Sequence, residues 1–207
     1  IAERGIWTAK KRYILNVWNS EGVQYSEPKL KVMGIEAVKS STPAPCRQMI
    51  KDGLKLMMNG TEEDVIEFID KCRVEFKALP PEQIAFPRTV SDVRKYHSHS
   101  SIYSKGTPIH ARGALLFNHY IKDKKLTNKY SLIANGEKIK FLYLKKPNII
   151  QENVISFIQD FPHELGLDKY IDYDLQFEKS FVEPLKAILD AIGWNVEKTV
   201  NLELFFA

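Results

Sequence analysis

A chain of 207 residues, 44% hydrophobic and 11% aromatic, can bury a core in one or two domains; it lacks the run of about 18 apolar residues that a spanning helix needs. Its net charge of +4 hides segregation, with +5 in residues 1–51, −3 in 52–80, +9 in 81–150 and −7 in 151–207. Two basic blocks separated by an acidic one suggest two arms of one polyanion-binding surface, which a uniform mixture would not.

Ile1-Ala2-Glu3-Arg4-Gly5 shows no secretory leader and reads as chain cut from something longer. From Tyr13 to Trp18, Ile14, Asn16 and Trp18 alternate in facing with Leu15 and Val17, the period of a strand. Asn19-Ser20-Glu21-Gly22 is turn chemistry, and Val23 to Tyr25 can return as the partner of a hairpin. A second basic strand, Lys29 to Met33, precedes Gly34, and Thr42 is placed to cap a helix beginning at Pro43. The cations Lys10, Lys11, Arg12, Lys29, Lys31 and Lys39 make this a sheet edge able to face a polyanion; a solvated basic face is the alternative.

Residues 44–59 are expected to be helical, with Cys46, Met49, Ile50, Gly53, Leu54 and Met57 on one face and Asn59-Gly60 as the stop. Thr61-Glu62-Glu63-Asp64 resembles a capping box, and Val65, Ile69, Cys72, Phe76 and Leu79 give the next helix its stripe. Cys46 and Cys72 on these stripes suggest buried thiols in a reducing compartment. The acidic outer face of this helical hairpin marks it as scaffold.

Pro80-Pro81 ends the second helix, Gln83 to Phe86 reads as a short strand, and Asp92 to Tyr96 as a helical turn. His97 to Thr107 is polar and loop-like; His97 and His99 have the spacing of metal ligands on a strand, but no cysteine or carboxylate of suitable spacing accompanies them. Pro108 to Gly113 leads into a helix from Ala114 to Lys124 with Ala114, Phe117 and Ile121 buried. A helix start carrying Arg112 beside Gly113 offers N–H donors and a fork to a phosphate, whereas Arg112 and His110 tying down the loop is the alternative. Lys122, Lys124, Lys125 and Lys129 suit either the helix dipole or a nucleic-acid backbone. Asn135-Gly136 between Tyr130–Ile133 and Lys138–Leu144 signals a hairpin, with Val154 to Ile158 a third strand. From Asp172 a long helix carries Phe177, Phe181, Leu185, Ile188 and Ile192 inward, with a bend expected at Pro184. The expected fold class is α+β, and Asp172 and Asp174 suit the acidic start of a helix.

W-T-x-K-K-R-Y at Trp7 to Tyr13, E-P-K-L-K-x-M-G at Glu27 to Gly34 and K-S-S-T-P at Lys39 to Pro43, in this order and spacing, resemble the palm-to-thumb junction of family B DNA polymerases of the T-even-phage type. P-x-H-x-R-G at Pro108 to Gly113 and D-Y-x-x-x-F-E-K-x-F-x-x-P-L at Asp172 to Leu185 are similar to the thumb of the same family. The resemblance implies a small antiparallel palm edge at residues 1–40, a mainly helical thumb with an inserted β-hairpin at 41–196, and a clamp-binding tail at 197–207. It implies a part of a DNA-directed DNA polymerase, a nucleotidyltransferase, from the cytoplasm of a phage-infected bacterium, working with polymerase domains upstream.

By the same resemblance, DNA would meet Lys10, Lys11, Arg12, Tyr13, Lys39, Ser40, His110, Arg112, Gly113, Lys122 and Lys179, with Lys11, Tyr13 and Lys39 at minor-groove acceptors. Leu202, Phe205 and Phe206 have the spacing of a sliding-clamp peptide, although Thr199 stands where glutamine is usual. The family's catalytic aspartates, which hold Mg²⁺ in the whole enzyme, its D-x-x-S-L-Y-P strand, its triphosphate helix and its exonuclease motif are not in these residues. The fragment is therefore expected to carry no catalytic residue, metal or cofactor of its own, to be inactive alone, and to bind primer-template without a membrane. The competing readings are a free-standing nucleic-acid-binding module and, more remotely, a metal-dependent hydrolase built on Asp172, Asp174 and the histidines.

Overall fold

The alternating start of the chain forms three antiparallel strands, β1 (Ala2–Ala9), β2 (Arg12–Ser20) and β3 (Val23–Met33), in that order across the sheet. This computed structural model describes residues 1–98 and 100–197, in two units: one of residues 1–78 with the segment that starts at 177, the other of residues 79–176. The Glu21-Gly22 turn closes β2 on β3 with both residues at positive φ, 53° and 83°, the twist-matched geometry that favours glycine second. Lys29 to Met33 is the far half of one continuous β3. β1 was not expected, because its polar and exposed residues dilute the alternation.

The inner rung pairs Ile6, Ile14 and Val32, with Ile14 fully buried and Asn16 beside it. Arg4 Nη1 donates to the Met58 carbonyl at 2.5 Å, pinning β1 to the helix that follows. A short 3-10 turn, Glu36–Val38, leads into α1 (Ala44–Asn59). Thr42 does not cap α1: it is buried, its N–H bonds to the Lys39 carbonyl, and Pro43 stands at the helix boundary. In α1, Cys46, Ile50, Gly53, Leu54 and Met57 are buried as the stripe predicts, and Met58 joins them. α2 (Glu62–Lys77) opens with the expected box, Thr61 N–H donating to Asp64 Oδ2 at 2.8 Å and Asp64 N–H to Thr61 Oγ at 3.3 Å.

In the other unit, α3 (Pro81–Ile84) takes the residues expected to start a strand, and β4 (Phe86–Thr89) begins only at Phe86. α4 (Ile109–Asp123) then begins earlier than expected, putting His110, Arg112 and Gly113 inside the helix. β5 (Lys138–Tyr143) and β6 (Val154–Phe157) complete an antiparallel sheet of order β4-β5-β6. Asn135-Gly136 does turn the chain, but the partner of β5 is β4, not Tyr130–Ile133. Val90 exchanges backbone bonds with Gly136 and Glu137 at 2.7 and 2.9 Å, extending that pairing into the turn. Ile133 is instead matched by a side chain: its N–H and C=O meet the Asn118 amide at 2.8 Å each.

The final helix comes in three pieces: α5 (Tyr173–Phe177), a π-helical turn at Glu178–Val182, and α6 (Glu183–Ile192). Pro184 has no N–H for the carbonyl four residues back, and the strain appears just before it as a widened turn in which Glu183 N–H reaches Glu178 O. Within the first unit Phe177 packs on Phe76 and Phe181, at ring separations of 5.2 and 4.9 Å, and Cys46 Sγ lies 3.3 Å from Ser180 Oγ. Burial raises the Cys46 and Cys72 thiols to about 11 and about 12, so both stay protonated at neutral pH. The fold class is α+β.

Candidate nucleic-acid interface

The basic stretch of the first sheet is built around one carboxylate. Lys10 and Lys11 form the exposed turn between β1 and β2, Lys11 at a φ of 63°. Gly34, at a φ of 68°, lies under that turn; a Cβ there would fall 2.2 Å from the Lys11 carbonyl oxygen, so only glycine lets the two segments close up. Arg12, next along, points a fork at Glu36: Nη2 donates to Oε2 at 3.0 Å and Nη1 to Oε1 at 3.4 Å. Lys39 Nζ donates to the same Oε1 at 2.7 Å. The side chains of Arg12, Glu36 and Lys39 are 31%, 21% and 41% exposed, so the triad sits at the surface without being fully hydrated.

Burial pushes the Glu36 carboxyl up, but the hydrogen bonds from Lys39 and Arg12 outweigh it and hold the group below its ordinary value. Glu36 is therefore an anion at neutral pH. Its spacing of three from Lys39 is the sequence signal for this role, one that a net charge for the whole block does not reveal.

On the outer face of the same sheet Tyr13 pairs in register with Trp7 on one side and Met33 on the other. Trp7 is 64% and Met33 42% exposed, and Lys31 is on the next rung opposite Leu15. This is an aromatic and apolar strip edged by ammonium groups. Ser40 is exposed in the turn that follows Lys39. Lys179 lies on the π turn and is paired with Glu183.

At the start of α4 the chemistry differs. Arg112 Nη2 donates to Asn153 Oδ1 at 2.5 Å, and its guanidinium carbon stands 5.6 Å from the centre of the Tyr103 ring. Tyr103 in turn donates to Glu152 at 2.5 Å, and the buried Arg112 Nε has no hydrogen-bond partner among the described residues. Arg112 thus ties two loops to the helix. Gly113 does make a close approach, but to the protein: a Cβ would fall 2.4 Å from Ser156 Oγ and 2.9 Å from its backbone nitrogen. His110 is half-buried beside Phe141, and burial, with Arg88 second, lowers its pKa. Lys122 is exposed and lines a cleft of about 1300 Å³ with Arg94, Lys95 and His119.

Asp172 accepts a hydrogen bond from Leu175 N–H at 3.0 Å and so caps α5, the helix-start role expected of it. Among the described residues no group of three His, Cys, Asp or Glu side chains is placed to hold a metal, and no helix is long and apolar enough to cross a membrane. His99 and the residues Leu202, Phe205 and Phe206 lie outside the described residues.

No protein-family model matches the chain. Over 206 residues, 98% of its length, it is 31% identical to the DNA-directed DNA polymerase of Enterobacteria phage T4. Over 203 residues, 96% of its length, it is 34% identical to the DNA-directed DNA polymerase of Escherichia phage RB69. The chain spans 22% of the length of each of these relatives. The resemblance that the sequence motifs carry to phage DNA polymerases thus extends over nearly the whole chain.

Proposed function

We propose that this chain is a C-terminal part of a DNA-directed DNA polymerase of family B, with a palm edge at residues 1–40, a thumb at 41–196 and a clamp-binding tail at 197–207. Its task is to grip the primer-template duplex. The observation that carries this reading is the similarity to two phage DNA polymerases over 98% and 96% of the chain. The cation-rich first sheet agrees with it.

The chemistry of the grip follows from the groove. Every paired base shows minor-groove acceptors at purine N3 or pyrimidine O2, so donors placed there accept any correct pair. Lys11, Tyr13 and Lys39 supply those donors, while Lys10, Arg12, Ser40, Lys179 and, in the other unit, Lys122 provide charge and hydrogen bonds for phosphates. His110, neutral at working pH, and Arg112 and Gly113 shape the start of α4 as the second contact region. The nucleotidyl transfer itself, with its Mg²⁺ ions, belongs to carboxylates of the whole polymerase; this chain contributes positioning. Leu202, Phe205 and Phe206 tether the enzyme to a sliding clamp, and the whole works in the cytoplasm of the infected cell.

The test is a titration of fluorescent primer-template duplex with the chain across a salt series, alongside a primer-extension assay. Expected are duplex binding whose log K falls linearly with log salt, and no extension by the chain alone. Absence of duplex binding at low salt would overturn the reading. A marked preference for single-stranded RNA would instead favour a free-standing binding module.

A further inference from the structure

We propose that Glu36 is a positioning residue of the DNA grip, fixing Arg12 and Lys39 as a pre-arranged pair of donors; this rests on the proposed reading that these two cations meet DNA. Glu36 accepts from both cations, through two contacts with the planar guanidinium and one with the ammonium. The guanidinium is held in two places and its plane is fixed. The ammonium spends one N–H on Glu36 and keeps two for an outside acceptor.

Without the carboxylate, two like charges on neighbouring segments would repel, and Lys39 would sample the full rotamer range of an exposed lysine. With it, the donors stand at a defined separation before any ligand arrives. Gly34 contributes by letting the Lys10-Lys11 turn pack on the segment that carries Glu36, so that the turn and the triad form one local surface. A carboxylate at the centre of a polyanion site lowers non-specific attraction. Its compensation is direction, and direction matters for base-edge acceptors more than for phosphates.

Two variants separate positioning from charge. Glu36→Gln keeps the length and removes the charge; Glu36→Asp keeps the charge and loses the reach to both partners. The readout is the affinity of the full chain for an ordinary duplex divided by that for a duplex of equal charge with 3-deazapurines, which lack the N3 acceptor. A ratio is insensitive to the fraction of protein that is folded. Immobilising a rotamer-rich side chain corresponds to roughly a 2- to 10-fold effect, and the ratio should fall by about that factor in both variants.

Lys39→Ala should lower the ratio at least as far as either Glu36 variant, with Lys11 and Tyr13 keeping the remainder. If Lys39→Ala leaves the ratio unchanged and Arg12→Ala leaves the salt slope of binding unchanged, the reading of these cations as DNA contacts fails. If Lys39→Ala lowers the ratio and neither Glu36 variant does, the positioning role fails while the contacts stand. If Glu36→Asp behaves as the parent and only Glu36→Gln changes the ratio, Glu36 acts by charge and the positioning proposal is overturned.

Discussion

Two basic regions of similar sequence character, the first sheet around Arg12 and the start of α4 around Arg112, use their arginines in opposite ways. Arg12 is half-exposed and shares a carboxylate with Lys39, so its charge stays at the surface in a fixed direction. Arg112 has its Nε buried, bonds Asn153 and covers Tyr103, so it holds loops together. A basic residue beside aromatics identifies neither role; what decides is whether the partner is a surface carboxylate or a half-buried amide and ring.

The contrast breaks most visibly in stability. Gly113→Ala should cost about 1–3 kcal/mol, because the new methyl meets Ser156 at 2.4 Å within a packed helix–strand contact. Urea unfolding checks it, and an unchanged midpoint would mean the helix can shift without cost. Arg112→Ala should cost about 1.5–3 kcal/mol, the range for a hydrogen bond to a charged group. At about 2–4 °C per kcal/mol for a chain of this size, calorimetry should see it clearly. Lys10→Ala and Lys11→Ala, in the exposed turn, should move the midpoint by less than about 0.5 kcal/mol.

Legibility followed the range of the interaction. The capping box, the α1 and α2 stripes and the Glu21-Gly22 hairpin are local, and they were readable from residues four or fewer apart. The pairing of β5 was not, because β4 lies far back in the sequence and Asn118 had taken the edge that Ile133 would have offered. The bend at Pro184 was anticipated in place but not in form, since a missing N–H can be absorbed by a π turn upstream as well as by a kink. Among candidate site residues, the cations were visible as a cluster. The anion that organises two of them was not, because charge counting treats Glu36 as subtraction.

Acid sharpens the comparison further. Hydrogen bonds from Lys129 and then Tyr130 pull the Glu164 carboxyl down to about 2, and Glu36 is lowered as well. A depressed carboxylate stabilises above its unfolded value, about 4.3, and that contribution is lost as pH falls through the folded value. Glu164→Gln should therefore flatten the pH dependence of stability between about pH 4 and 2. An unchanged profile would remove Glu164 as its source.

The most direct test of a grip centred on the first sheet is the salt dependence of duplex binding in two variants, Lys10→Ala/Lys11→Ala/Lys39→Ala and Arg112→Gln. The triple variant should flatten the slope of log K against log salt by about 0.9 for each phosphate neutralisation it removes, with a melting temperature lowered by no more than a few degrees through loss of the Lys39–Glu36 pair, and Arg112→Gln should leave the slope as it was. A flattened slope in Arg112→Gln together with a parental slope in the triple variant would place the grip at α4 and contradict the account.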